Sequence, residues 1–245
     1  LQEIIFLSLT NKVIDNPKNI ISAGINATSQ INTISKFQKN ESLKKTILLI
    51  PEKNYKNEIK KAIKQSNLKI KKTYYYDPAS TEITKQIEKI TRYQQRKKNL
   101  EDEIKRLEKT DAENNKLKIE KLKKRDTIGK IGFDSIIISD FDENLKSITT
   151  SLLYTDVNPN KVHFITLNQW FDESLLKEES SQPIYFPSIN KKNYDIFINE
   201  YFNKFDEYPN QLSFLSYDLV GLIYYLALKN NFLLDQKIFL KKNIF

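Results

Sequence analysis

The sequence predicts a mixed α/β protein in which parallel sheets are flanked by helices, and three observations carry that expectation. Short β-branched or aromatic runs recur that are apolar almost without interruption, as strands covered on both faces must be. Between them lie stretches whose apolar residues fall at spacings of three and four. The length, 245 residues, suffices for one large domain or for two lobes with separate cores. Repeated strand–helix–strand order makes the strands parallel, because parallel neighbours need a long crossover that a helix supplies.

In chain order, "EIIFLSL" (3–9) reads as a strand and "ATSQINTISKFQKN" (27–40) as an amphipathic helix. "KTILLIP" (45–51) is a second strand. In "NYKNEIKKAIKQSN" (54–67), Ile59 and Ile63 share one helical face while lysines and Glu58 occupy the other. "LKIKKTYYY" (68–76) returns to strand. From Glu82 to about Arg125 the rhythm breaks: Ile90, Tyr93, Leu100, Ile104 and Leu107 follow a 3–4 spacing, "TDAENN" (110–115) reads as a turn, and Leu117, Ile119 and Leu122 follow. That pattern predicts an antiparallel coiled-coil hairpin inserted at about 82–128. "FDSIIISDF" (133–141) and "KVHFITL" (161–167) are strands around the helix "DENLKSITTSLLY" (142–154), and "QPIYFPS" (182–188) is the last. Two helices close the chain, one over about 191–205 with Tyr194, Phe197, Ile198, Tyr201 and Phe202 on one face, the other capped by Asn210 and running to about Lys229.

Residues 212–228 are apolar enough to raise the question of a membrane span. A central aspartate, Asp218, costs roughly 2.5–3.5 kcal/mol at mid-bilayer. The segment is therefore expected to be a buried core helix, and no transmembrane span is expected in the chain.

Composition closes off several chemistries. The chain has no cysteine, one histidine and four glycines, so thiolate sites, disulfides and multi-histidine metal centres are impossible. Glycine-rich phosphate loops are excluded as well. No cofactor, no metal and no enzymatic activity are expected. His163 sits within a strand, where an ordinary half-buried histidine is the expectation over a catalytic one. The net charge of +9 is concentrated between Ile90 and Lys130, where 14 Lys/Arg face 8 Asp/Glu. Lys, Asn and Ile are abundant throughout, as an AT-rich genome would produce, and Tyr93 is the one aromatic of the hairpin, so nucleic acid is not an expected partner.

Candidate site residues lie at strand ends. Asp140 and Asp142 flank Phe141 at the C-terminal end of a strand, where open α/β sheets bind ligands. Asp142 is equally placed to cap the following helix, and capping is the preferred reading. "NQWFDE" (168–173) ends the next strand, and Trp170 could be a cleft wall or core.

Several stretches resemble the type I periplasmic-binding fold, in its Leu/Ile/Val-binding branch. "FLSLTN" (6–11) is similar to a strand and loop that offer Ser and Thr hydroxyls to a ligand. "NIISAGINATSQINTISKF" (19–37) resembles a crossing segment with its helix, and "KTILLIPEKNYKNEIKKAI" (45–63) the opening of a second lobe. Residues 133–178 and 197–228 look most like the subset known as penicillin-binding protein activators, found in alphaproteobacteria. The resemblance implies a partial N-terminal lobe of 1–22 and 187–245 and a C-terminal lobe of 23–186 carrying the hairpin. It implies a ligand cleft between lobes with Ser8, Thr10, Tyr55, Asp140, Phe141, Asn168 and Trp170 as candidates. Tyr217 and Asp218 would be structural residues near the hinge, Asp218 alternatively a ligand contact.

The function so implied is that of a non-enzymatic binding protein of the periplasm or cell envelope, regulating peptidoglycan synthesis through a penicillin-binding protein. The alternative is the substrate-binding protein of an amino-acid or amide ABC transporter, partnered by its permease, with an amino acid, amide or peptide-like ligand. One departure stands out: amino-acid binders carry a Gly- and acid-containing loop after the strand at 161–167, and here that loop reads "LNQWFD".

Overall fold

The computed structural model of the chain describes residues 4–10, 19–53, 55–167, 181–232, 234 and 236–239. The chain divides into two compact units, Leu1–Gln30 with Ser188–Phe245, and Ile31–Pro187.

The second unit holds five parallel strands, β3 (Thr46–Pro51), β4 (Lys72–Tyr76), β5 (Ser135–Ile138), β6 (His163–Thr166) and β7 (Ile184–Tyr185), in the order β4-β3-β5-β6-β7. Every residue of β3 and of β5 is buried, which is why those runs are apolar without alternation. One face, through Ile47, Leu49, Ile136, Ile138 and Phe164, joins Ile83 and Ile87 of α3 (Ser80–Thr91) and Leu145, Ile148 and Leu152 of α5 (Asp142–Tyr154) in a single core. On the other face Leu48, Ile50, Ile137 and Ile165 are equally buried, and α2 (Lys56–Gln65) packs on β3 through Ile59 and Ala62. The buried residues of α1 (Ala27–Asn40) are Ile31, Ile34 and Gln38. The Gln38 amide donates to Thr46 Oγ1 and to the Lys69 carbonyl, each at 2.7 Å, and accepts from Lys69 N–H, so burial leaves it satisfied. Asp134 accepts from the Lys44 and Lys45 amides at 3.0 Å and pins the start of β3 beside β5.

The region expected to be a hairpin from 82 begins later. Residues 80–91 form α3 and belong to the core, where Thr84 and Ser151 hydroxyls share a hydrogen bond to α5 at 2.9 Å. Arg92, in the left-handed region at φ 54°, separates α3 from α4 (Tyr93–Lys123), whose helical geometry is broken at Asp111 alone (φ −169°, ψ 91°). The chain reverses there: Lys123 pairs with Glu108 at 3.3 Å, Asn115 Nδ2 donates to the Leu107 carbonyl, and Ile128 N–H donates to the Arg96 carbonyl. Tyr93, Leu100, Leu107 and Ile119 are buried, but Leu117 is 73% exposed. The expected coiled-coil seam therefore does not extend to Leu117, which sits two residues from Ile119 and so on another helical face. Arg96, 4% exposed, donates through its guanidinium to the Thr155 and Asp156 carbonyls at the C-terminus of α5, where a cation suits the helix dipole. Burial lowers its pKa.

The first unit contains two short parallel strands, β1 (Phe6–Ser8) and β2 (Ile20–Ser22), the second lying in the stretch that resembles a crossing segment. Gly24 follows β2, and a Cβ there would lie 2.2 Å from the Thr10 carbonyl oxygen and 2.6 Å from that of Leu9, so only glycine allows this approach. Helices α6 (Lys191–Phe205) and α7 (Gln211–Lys229) are capped by Asn190 and Asn210, whose side chains accept from the amides of Asn193 and Ser213; a short α8 (Gln236–Phe239) follows. Aromatic contacts join α6 to α7, with Phe197 5.3 Å from Phe214 and 5.0 Å from Tyr217 between ring centroids.

α7 is not the buried core helix its composition predicted. Only 22% of the window Leu212–Lys229 is buried, and by length and mean hydropathy (1.3) the helix could cross a membrane. Leu212, Tyr217, Val220, Tyr224 and Leu228 are each at least half exposed. The physical reason lies in its surroundings: among the described residues the side chains seen packing on it come from α6, through Phe197 against Phe214 and Tyr217, which leaves its other faces uncovered.

Candidate functional site

The strand order places a topological switch between β3 and β5, since the chain leaves β3 to one side for β4 and returns to the other side for β5. Loops at the C-terminal ends of such a pair diverge and leave a crevice. Here the crevice is a pocket of about 300 Å³ lined by Lys53 and Tyr55 after β3 and by Asp140, Phe141, Asp142, Glu143 and Asn144 after β5.

Asp140 organises its floor. The residue is 0% exposed, and a carboxylate so buried requires donors. Lys53 Nζ donates to Oδ1 at 2.8 Å, the Tyr55 hydroxyl at 3.0 Å and the Phe141 amide at 2.9 Å, while the Tyr76 hydroxyl donates to Oδ2 at 2.5 Å. Ser139 fixes the strand end beneath it, its amide and hydroxyl both donating to the Leu49 carbonyl. Burial, reinforced by Asp140, pushes the phenols of Tyr55 and Tyr76 far above their ordinary range. Both therefore act as neutral donors to Asp140 near neutral pH.

The walls are aromatic and acidic. Tyr55 and Phe141 meet edge to face with centroids 6.0 Å apart. Asp142 and Glu143 form the first turn of α5, and Glu143 is 84% exposed while pairing with Lys146 at 3.0 Å. The preferred reading of Asp142 as helix cap fails: the N-cap position falls on Phe141, whose side chain cannot accept, and Asp142 lies inside the first turn at φ 50°.

Of the residues singled out in the sequence, the structure brings Tyr55, Asp140 and Phe141 together. Ser8 and Thr10 lie in the first unit, where Ser8 Oγ accepts from Thr10 N–H at 3.4 Å and the Thr10 carbonyl accepts from Ser22 Oγ at 3.1 Å. Asn168 and Trp170 lie outside the described residues. Asp218 and Tyr217 are exposed, and desolvation on the apolar face of α7 raises the Asp218 pKa. Asp218 makes no hydrogen bond among the described residues, contrary to the expectation of a tied structural carboxylate. Among the described residues no cluster of three His, Asp or Glu could hold a metal.

Sequence reasoning missed Lys53 and Tyr76. Tyr76 was legible only as a strand residue, yet it closes β4 in register with Pro51 at the end of β3. The signal was a buried-strand carboxylate at 140 that had to find donors on adjacent strand ends.

Parallel strands flanked by helices, with a pocket at the switch point, match a fold of the type I periplasmic-binding kind. Solved structures share it. A branched-chain amino-acid ABC transporter periplasmic ligand-binding protein from Burkholderia xenovorans matches 82% of this chain and 46% of its own at 11% identity, with a TM-score of 0.50. The leucine-, isoleucine-, valine-, threonine- and alanine-binding protein from Brucella ovis, in its closed conformation, matches 90% of this chain and 51% of its own at 11% identity, with a TM-score of 0.55. The chain thus spans about half the length of these structures. Neither is described as a penicillin-binding protein activator. No protein-family model and no curated protein matches the sequence.

Proposed function

We propose that the chain is the solute-binding part of an ABC importer, taking a small molecule that pairs an apolar body with an amino group, and that it works in the periplasm. The observation that carries this reading is the pocket at the β3–β5 switch point, where the Tyr55–Phe141 pair faces the acidic first turn of α5. An ammonium group is favoured beside Asp142, Glu143 being already paired with Lys146, and the aromatic faces suit an aliphatic or cationic group. Lys53 offers little to an anionic ligand because Asp140 holds it. The fold likeness to two binding proteins supports this reading over regulation of peptidoglycan synthesis, which rests on sequence resemblance alone.

A thermal-shift screen of the protein against amino acids, amides, short peptides and muropeptide fragments tests it. Saturating a native-state ligand adds RT ln(1 + [L]/Kd), about 2.7 kcal/mol at a hundredfold excess over Kd. A dose-dependent rise with an amino-bearing solute that disappears in Tyr55→Ala is expected. Stabilisation by muropeptides alone would turn the assignment toward peptidoglycan, and no shift with any solute would remove it.

A further inference from the structure

The second arm of the hairpin carries an outward face that the solute pocket does not use. Between Lys116 and Arg125 six basic side chains stand against one acid, Glu120. The inward side of this arm is identified by Ile119, 7% exposed, by the Lys123–Glu108 ion pair and by the Asn115 contact to the first arm. Leu117, Lys121 and Lys124, spaced four and three apart, share a different face. Leu117 is 73% exposed there. Lys118, Lys121 and Lys124 are exposed and form no ion pair among the described residues; Glu113 and Glu120, four before and three after Leu117, lie on the same face.

We propose that this face docks on an anionic phospholipid surface, with Leu117 entering the headgroup region and Lys118, Lys121 and Lys124 neutralising phosphates around it. Charge complementarity selects the class of partner, since residues 90–130 hold +6 of the chain's net +9. An exposed leucine with Lys121 and Lys124 on its own face and Lys118 beside it selects a membrane within that class, the lysines outnumbering Glu113 and Glu120 there. Apolar insertion combined with diffuse cationic attraction is how amphipathic helices bind interfaces. Nucleic acid would have no use for Leu117 and would call for stacking aromatics, which this arm lacks. Lysines act as mobile point charges suited to a fluid lipid surface, whereas a fixed carboxylate pattern on a protein would favour the planar fork of arginine. The inference is independent of which solute the pocket takes.

Co-sedimentation of the protein with vesicles tests it, one set of phosphatidylcholine and another of phosphatidylcholine and phosphatidylglycerol in equal parts. Binding is expected only to the second set and should weaken as salt rises. K118E/K121E/K124E should bind at least about a hundredfold more weakly, and Leu117→Ala severalfold more weakly. K36E/K39E/K61E, with the same change in net charge on exposed positions of α1 and α2, should bind almost as wild type does. Equal binding to both vesicle sets would overturn the proposal. So would equal loss in the two triple variants, or capture of polyglutamate or duplex DNA without vesicle binding. Unchanged melting temperatures would show that the variants fold, and the salt and Leu117→Ala results stand without them.

Discussion

Two carboxylates separate the two units of the molecule. Asp140, at the end of β5, is fully buried and satisfied by Lys53, Tyr55, Tyr76 and the Phe141 amide. Asp218, midway along α7, is exposed on an apolar helix face with no hydrogen-bond partner among the described residues. Both stand next to apolar residues in the sequence, so composition alone does not tell them apart. What differs is the supporting surface. Helices pack on the five-stranded sheet of the second unit and its strand ends supply donors, whereas among the described residues of the first unit α7 is largely uncovered. The lesson is that an apolar run declares a need for burial, and the neighbouring elements decide whether it is met.

Substitutions can break this contrast, beginning with the core of the second unit. Leu145→Ala, at a site with no exposure and contacts to the sheet, should destabilise the protein by about 3 kcal/mol in urea unfolding. A cost below about 1 kcal/mol would mean that the α5–sheet interface is looser than its burial implies. Asp140→Ala comes next, at about 2–3 kcal/mol, since it leaves the buried Tyr76 hydroxyl without its acceptor. Lys53 is partly exposed and can regain water, so the cost stays below that of a fully stranded charge. A double change of Asp140→Ala with Tyr76→Phe should recover part of the loss, and its failure to do so would remove the hydrogen bond as the cause.

The smallest effects belong to α7. Val220→Ala, at a residue 64% exposed, should change stability by less than about 0.5 kcal/mol. The Asp218 pKa is raised in the folded state by desolvation, so the folded chain holds its proton to higher pH than the unfolded chain does. Stability from this group is therefore present below its unfolded pKa and falls as pH rises from there through the folded pKa. Asp218→Asn should flatten that slope slightly and leave stability at neutral pH equal or marginally higher. A loss on substitution would instead indicate a partner for the carboxylate.

Much of the second unit was legible because burial on both faces writes itself into a strand as an unbroken apolar run, as in residues 47–51 and 136–138. Helix caps at Asn210 and the amphipathic α2 were legible for the same local reason. Other features depended on partners distant in sequence. Tyr76 reaches Asp140 across the end of β3, 64 residues on, and no local pattern marks that contact. Leu117 and Ile119 stand two residues apart and cannot share one seam, and only the fold shows that Ile119 is the buried one and Leu117 the exposed one. Of the candidate site, the strand-end rule found Asp140 and Phe141 and the family resemblance offered Tyr55, but neither distinguished a residue that lines the pocket from one that holds it together. Asp140 is of the second kind, because its oxygens are occupied by the protein itself.

The proposed function requires that the pocket at the β3–β5 switch point take a solute. Titrating an amino-bearing solute found by thermal shift into ¹⁵N-labelled protein, and following amide resonances, addresses this residue by residue. Saturable shifts centred on Lys53, Tyr55 and the Asp140–Asn144 segment are predicted. Shifts confined to Asp156–Asn160, which line a separate pocket ahead of β6, or no shifts at all, would contradict it.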